Sequence, residues 1–177
     1  ALGSLGVDCT TLAVPGDHVP GERSRSPVDY LRHLGQALRA QSGFDLVHAN
    51  QGVVAPAALA CNLPTVVSLW GTDLYGSIGP LSRRCTRRAD SVVVMSAAMA
   101  DDLAVDCRVI PHGVDIERFQ PGDRGEARTE LGWGAGHHVL FPYAPARPVK
   151  DYPRVERVVD AAAERLGSQV SLHVVTG

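Results

Sequence analysis

The chain has 177 residues, 45% of them hydrophobic, and a formal net charge of −2 at pH 7. That length suits one full domain and part of a second, and the mildly acidic balance argues against a general nucleic-acid binder, which would be basic. No window approaches the roughly 18 uninterrupted apolar residues of a membrane span, and the first residues show neither the charged region nor the cleavage pattern of a secretory leader.

The pattern of elements alternates. Gly6 to Val14 reads as a strand closed by Pro15-Gly16, followed by about a dozen loop residues rich in Pro, Gly and Ser. Val28 to Ala40 predicts an amphipathic helix with Leu31, Leu34 and Leu38 on its apolar side, ended by Ser42-Gly43. A short buried strand is expected over Asp45 to Ala49, a small-residue helix over Val53 to Cys61, and a strand over Thr65 to Trp70. Pro80 to Ala89 reads as a basic helix and Ser91 to Met95 as a β-branched strand. Ser96 caps a helix from Ala97 to Val105, and Cys107 to Ile110 is the last strand of this series.

A second series begins after Pro121. A short helix is expected over Glu126 to Leu131, then the Gly-rich stretch 132–136, a strand over Val139 to Tyr143, a helix over Val155 to Leu166 and a strand over Val170 to Thr176. Strands alternating with helices predict an α/β fold with a Rossmann-like parallel sheet. The expected division is a first domain over 1–121, a linker over 122–137 and the start of a second domain over 138–177. Both ends read as cut, so the chain is expected to be a fragment that lacks a first strand.

Four cysteines, Cys9, Cys61, Cys85 and Cys107, are scattered with no Cys-x-x-Cys. They read as small buried apolar residues in a reducing compartment rather than as a disulfide framework. Of the 17 basic residues only Lys150 is a lysine. A lone lysine in the Pro-rich loop 144–150, with Arg147 beside it, suits an anionic ligand that needs a compact point charge. The plainer reading of that loop is a solvated turn stiffened by Pro145, Pro148 and Pro153.

Other candidates fall at strand ends, where open α/β sheets gather ligands. His48 and Asn50 end one strand, and Gly71 and Asp73 follow the next. Gly71 permits close backbone approach, and Asp73 can accept a hydroxyl or cap a turn. His112 and Gly113 form the turn after the final strand. Gly113 is expected to hold a backbone conformation that other residues resist, and His112 either touches a ligand or faces water. Arg83, Arg84, Arg87 and Arg88 recur at helical spacing and predict one positive face, either simply solvated or able to meet anionic lipid headgroups. His137-His138 reads as polarity at a strand entry, with no third metal ligand in view. Asp-x-Asp, Gly-x-Gly-x-x-Gly opening a helix, Gly-x-Ser-x-Gly and a P-loop are all missing from the sequence, which weakens a nicotinamide-dinucleotide reading.

Val109-Ile-Pro-His-Gly-Val-Asp-Ile-Glu-Arg-Phe-Gln-Pro121 resembles a signature of glycosyltransferase family 4, whose fold is GT-B. In the same order, Asp45 to His48, Val66 to Asp73, Ala89 to Ser96 and Pro145 to Lys150 resemble further segments of that family. The resemblance implies a retaining, metal-independent transfer of a sugar from a nucleotide diphosphate sugar, with no other cofactor. The acceptor would be a glycan, a lipid-linked sugar or a small molecule. It implies Asp73 and His48 as catalytic candidates, Arg147 and Lys150 as holders of the donor diphosphate, and Gly71, Asn50, His112 and Gly113 as cleft and sugar contacts. A cytoplasmic protein is expected, with peripheral contact at the inner membrane face through Arg83 to Arg88. Trp70 stands where the family usually has His, and His112 where it usually has Asn. The Arg-to-Lys spacing is short, and the acidic donor element lies beyond residue 177, so these residues alone are expected to be inactive. A non-catalytic sugar- or nucleotide-binding module with the same fold is the alternative.

Overall fold

The structure is a computed structural model that describes residues 3–16 and 23–175. It divides into two compact units between Val114 and Asp115.

The first unit is built on four parallel strands in the order β1-β2-β3-β4: β1 Val47–Ala49, β2 Thr65–Ser68, β3 Ser91–Val94 and β4 Arg108–Val109. Each strand pairs with the next, for example His48 with Val66, Val67 with Val92, and Val94 with Val109. Parallel neighbours need a crossover, and helices supply it: α2 Ala55–Leu59, α3 Thr72–Tyr75 with α4 Gly79–Thr86, and α5 Ala97–Leu103. α1, Pro27–Ala40, precedes β1 and packs against α2. The core gathers Ala49, Ala55, Ala58, Val67, Leu69, Leu74, Cys85, Val92, Val94, Met99 and Leu103. Each buried valine or leucine contributes about 1.5–3 kcal/mol of transfer free energy. The β-branched runs 65–68 and 91–94 therefore become the central strands. Asp90 ties their starts together: its Oδ2 accepts from the Thr65 amide at 2.7 Å, and its own amide donates to the Thr65 carbonyl at 3.0 Å.

The second unit holds α6 Arg124–Glu130, β5 His137–Phe141, α7 Tyr152–Leu166 and β6 Val170–Val174. β5 and β6 pair in parallel, His137 with Val170 through Phe141 with Val174. Asp123 caps α6 by accepting from the Glu126 amide at 2.8 Å. Gly167, at φ 60°, closes α7 in the left-handed conformation that glycine takes without strain.

Several expectations need correction. Gly6–Val14 is not a strand: residues 7–14 follow a short 3-10 turn at Gly3–Leu5 and lie in irregular backbone. Val7 and Leu12 are exposed, and among the described residues the segment has no ladder partner to satisfy a strand's amides and carbonyls. Cys9 is exposed and Cys107 half-buried, while Cys61 and Cys85 are buried as expected. Burial pushes the thiols of Cys61, Cys85 and Cys107 up, towards the inert protonated form. α3 was not foreseen. Parts of two expected elements, 17–22 in the long loop and Thr176, lie outside the described residues.

The largest departure is the orientation of α1. Its buried side is Asp29, His33 and Ala37, while Leu31 is 67% exposed and Leu38 is also exposed. Polar anchoring overrides hydrophobic periodicity here. Asp29 accepts from the two terminal guanidinium nitrogens of Arg23 at 2.8 and 3.0 Å, and from the Ser26 amide and hydroxyl at 2.8 and 2.7 Å. Those bonds turn position 29 inward at the helix start and hold its carboxyl far below the usual range. His33, one turn on, is 7% exposed and its Nδ1 has no hydrogen-bond partner.

Burial lowers the His33 pKa below its ordinary 6.5. The unfolded chain therefore takes up this proton first, so the contribution is fully present above 6.5 and falls as pH drops through the window below it. The urea midpoint is expected to be lower at pH 5.5 than at pH 7.5, with a smaller difference in His33→Leu. An equal difference in both chains would show that His33 does not carry it.

Candidate functional site

The C-terminal edge of the four-stranded sheet collects most of the expected residues, and one carboxylate arranges them. Asp73 is 3% exposed. Its Oδ2 accepts from the Gly52 amide at 2.8 Å and its Oδ1 from the Trp70 amide at 2.7 Å. The first amide belongs to the loop after β1 and the second to the turn after β2. Asp73 thus faces inward and joins two loops, the turn-capping role that the sequence offered beside acceptance of a hydroxyl. The chain can make this turn because Gly71 sits at φ 104°, where a side chain would be strained. A Cβ on Gly71 would meet nothing within 4 Å, so its backbone borders open space. Gly52 has the opposite constraint: a Cβ there would collide with the hydroxyl of Ser82, which is fully buried.

On this frame the side chains meet. His48 Nε2 lies 2.8 Å from Ser68 Oγ, across β1 and β2. Partial burial lowers the His48 pKa, so the ring is neutral at pH 7 and can exchange a proton or a hydrogen bond with a neighbour. Asn50 Oδ1 accepts from the Trp70 indole N–H at 3.3 Å. The other side of Trp70 meets His112, with ring centroids 4.3 Å apart and planes tilted by 31°. His48, Asn50, Gly71 and His112 therefore share one edge. Gly113 follows His112 but has no positive φ, and a Cβ on it would be free of contacts. The conformational role expected of it is absent.

The four arginines do not form one face. α4 ends at Thr86, so Arg87 is its C-cap and Arg88 lies beyond. Arg83 turns toward α5 and donates to the Asp102 carbonyl, where the Tyr75 hydroxyl also donates to Asp102 Oδ2 at 2.8 Å. Arg84 and Arg88 instead border a cavity of about 300 Å³ with Leu59, Leu81 and Cys85.

In the second unit, Arg147 and Lys150 come together on one ring. Lys150 Nζ sits 3.8 Å from the Tyr143 centroid and Arg147 Cζ 6.0 Å from it. The Lys150 amide donates to the Arg147 carbonyl at 3.0 Å, closing a single 3-10 turn at Pro148–Lys150. The aromatic face holds both cations beside the C-terminal end of β5 without neutralising them. His138, expected only to mark a strand entry, has a fuller part. Its Nδ1 lies 2.9 Å from His173 Nε2, its Nε2 lies 3.0 Å from the Gly134 carbonyl, and Trp133 stacks on both rings. Among the described residues no group of three His, Cys, Asp or Glu could hold a metal ion, and no helix is long and apolar enough to cross a membrane.

Sequence reasoning missed Ser68, Gly52 and Tyr143 as parts of these arrangements. Tyr143 carried a signal: it is the aromatic residue between the strand and the cationic loop. Ser68 and Gly52 carried none, since their partners are 20 and more residues away.

A protein-family model described as Glycosyltransferase Family 4 matches residues 6–118. The D-inositol 3-phosphate glycosyltransferase 1 of Catenulispora acidiphila is 30% identical over 159 residues, covering 76% of this chain and 37% of that protein. The D-inositol 3-phosphate glycosyltransferase of Actinosynnema mirum is 42% identical over 72 residues, 39% of this chain and 17% of its own. That of Nocardia farcinica is 43% identical over 58 residues, 33% and 12% respectively. The chain spans well under half the length of these relatives.

Asp73→Ala leaves two amides without their acceptor and is expected to lower the unfolding free energy by about 2–4 kcal/mol in urea denaturation. Gly52→Ala is expected to cost about 1–3 kcal/mol through overpacking against Ser82. Losses within about 0.5 kcal/mol, the usual range for inert surface changes, would mean that neither contact holds the loops. Separately, an NMR titration should find His48 half-protonated below pH 6.5, and a midpoint above that value would contradict its burial.

Proposed function

The chain belongs to glycosyltransferase family 4, and from that premise we propose that it serves the transfer of a sugar from a nucleotide diphosphate sugar to a hydroxyl acceptor. The observation that carries this reading is the pair of cations on Tyr143 at the end of β5. When the bond from the sugar's anomeric carbon to the diphosphate oxygen breaks, negative charge grows on the leaving diphosphate. Arg147 and Lys150 offer two fixed positive charges to receive it. That neutralisation is the task a divalent ion performs in other transferases, so the proposed reaction needs no metal or organic cofactor. Retention of the anomeric configuration belongs to the same proposal.

The first unit is the proposed acceptor side. The relatives' names point to an inositol phosphate or a related cyclic polyol as acceptor. His48, neutral near pH 7, is the group proposed to exchange a hydrogen bond or proton with the acceptor hydroxyl. Asp73 acts at one remove, as a positioning residue that fixes the loops carrying Asn50 and Trp70.

One observation favours a second reading, a binding module without turnover. The carboxylate expected to take part in chemistry is turned inward, which leaves the sheet edge suited to holding a ligand. Transfer from a labelled nucleotide sugar to D-inositol 3-phosphate by the native protein separates the two: product rejects the binding module, and binding without product rejects the transferase. Calorimetric titration with UDP, GDP and ADP tests the cationic pair. Arg147→Gln and Lys150→Gln are each expected to weaken the preferred nucleotide about tenfold, or about 1.4 kcal/mol. Unchanged affinity in both variants would move the diphosphate elsewhere.

A further inference from the structure

Trp70, in the first unit, is exposed and yet held from three directions. It is 44% exposed. Its backbone amide is held by Asp73 at 2.7 Å, its indole N–H by Asn50 at 3.3 Å, and its ring lies against His112 at 4.3 Å. A tryptophan open to water by nearly half gains little from burial, yet here its polar edge and part of its ring surface are already engaged. Apart from the Asn50 and His112 contacts, no partner of the Trp70 ring is found among the described residues. Gly71 follows Trp70 in the chain, with open space where a side chain would be, and His48 ends the neighbouring strand β1, bonded to Ser68.

We propose that Trp70 is the stacking platform on which the ring of a cyclic polyol acceptor rests, with His112 backing the indole and Asn50 setting its angle. The inference rests on the acceptor-side reading given above and assigns its specificity to one side chain. The chemistry is that of a ring whose hydroxyls lie around its edge. The C–H groups on its face carry slight positive charge and meet the negative face of the indole, while the peripheral hydroxyls face hydrogen-bonding groups of the sheet edge. A linear polyol or a bare phosphate offers no such face. Trp70 therefore selects for ring shape, and any phosphate on the acceptor is bound by other groups.

The test uses the whole chain carrying Trp133→Phe, which leaves Trp70 as its single tryptophan. D-inositol 3-phosphate is titrated by calorimetry and by tryptophan fluorescence, with inorganic phosphate and a linear hexitol as controls. The inositol phosphate is expected to perturb Trp70 emission and to protect it from a soluble quencher, whereas the controls do neither. Trp70→Leu is expected to weaken binding at least tenfold, and Trp70→Phe, which keeps a flat ring, less than threefold. The backbone bond to Asp73 survives either change. Should Trp70→Leu fail to fold, the fluorescence of the single-tryptophan chain and the Trp70→Phe affinity still decide. Equal affinity in Trp70→Leu, or binding that leaves Trp70 emission and quenching unchanged, overturns the platform while leaving the acceptor reading intact. No binding of the inositol phosphate by the unsubstituted chain overturns the acceptor reading and the platform together.

Discussion

The first unit depends on the two hydrogen bonds that Asp73 receives. A carboxylate buried among apolar neighbours is costly unless its oxygens are matched by donors, and here each oxygen has a backbone amide. Those amides start the two loops that carry the candidate residues. The arrangement also explains two glycines with opposite requirements. Gly52 must lack a side chain because Ser82 occupies the space, and Gly71 must lack one because of its backbone angle. The sheet supplies parallel strand ends, and Asp73 converts them into a defined edge.

The two units present their groups by different physics. In the first, the exposed edge is made of His48, Asn50, Trp70 and His112, with no carboxylate or guanidinium among them. Their contacts with one another are weak individually, and they are held in place by the backbone geometry beneath them. In the second, the exposed features are two cations set against one aromatic ring. Neutral hydroxyl-bearing ligands suit the first kind of surface and anionic ligands the second. The arginines of α4 show how sequence spacing alone misleads about such surfaces. Arg83 is consumed by the Asp102 carbonyl, and the helix stops before Arg87.

Much of the architecture was legible in the sequence because its signals are local. The β-branched runs at 65–68 and 91–94, Ser96 as a cap accepting from the Met99 amide, and Gly167 ending α7 each follow from rules spanning a few residues. The rest depended on distant partners. The inward face of α1 was set by Arg23 and Ser26 acting on Asp29, which outweighed the leucine spacing. The run from Gly6 to Val14 has strand-like composition but no neighbour to pair with among the described residues. Asp73 stood out as a candidate because of its position after a strand. That it serves two amides, one of them 21 residues upstream, is visible only in three dimensions. His138 was undervalued for the same reason, since His173 lies 35 residues away.

The place of Lys150 has a practical side. It is the chain's single lysine among 16 arginines, and its amine sits over Tyr143 in the loop proposed to meet the donor. Guanidinium groups resist the reagents that acylate amines, so within residues 1–177 an activated ester or an aldehyde with borohydride finds one lysine side chain. These residues thus carry a built-in address for a fluorophore or cross-linker, at the point proposed to meet the diphosphate. No cysteine engineering is needed to place a reporter there.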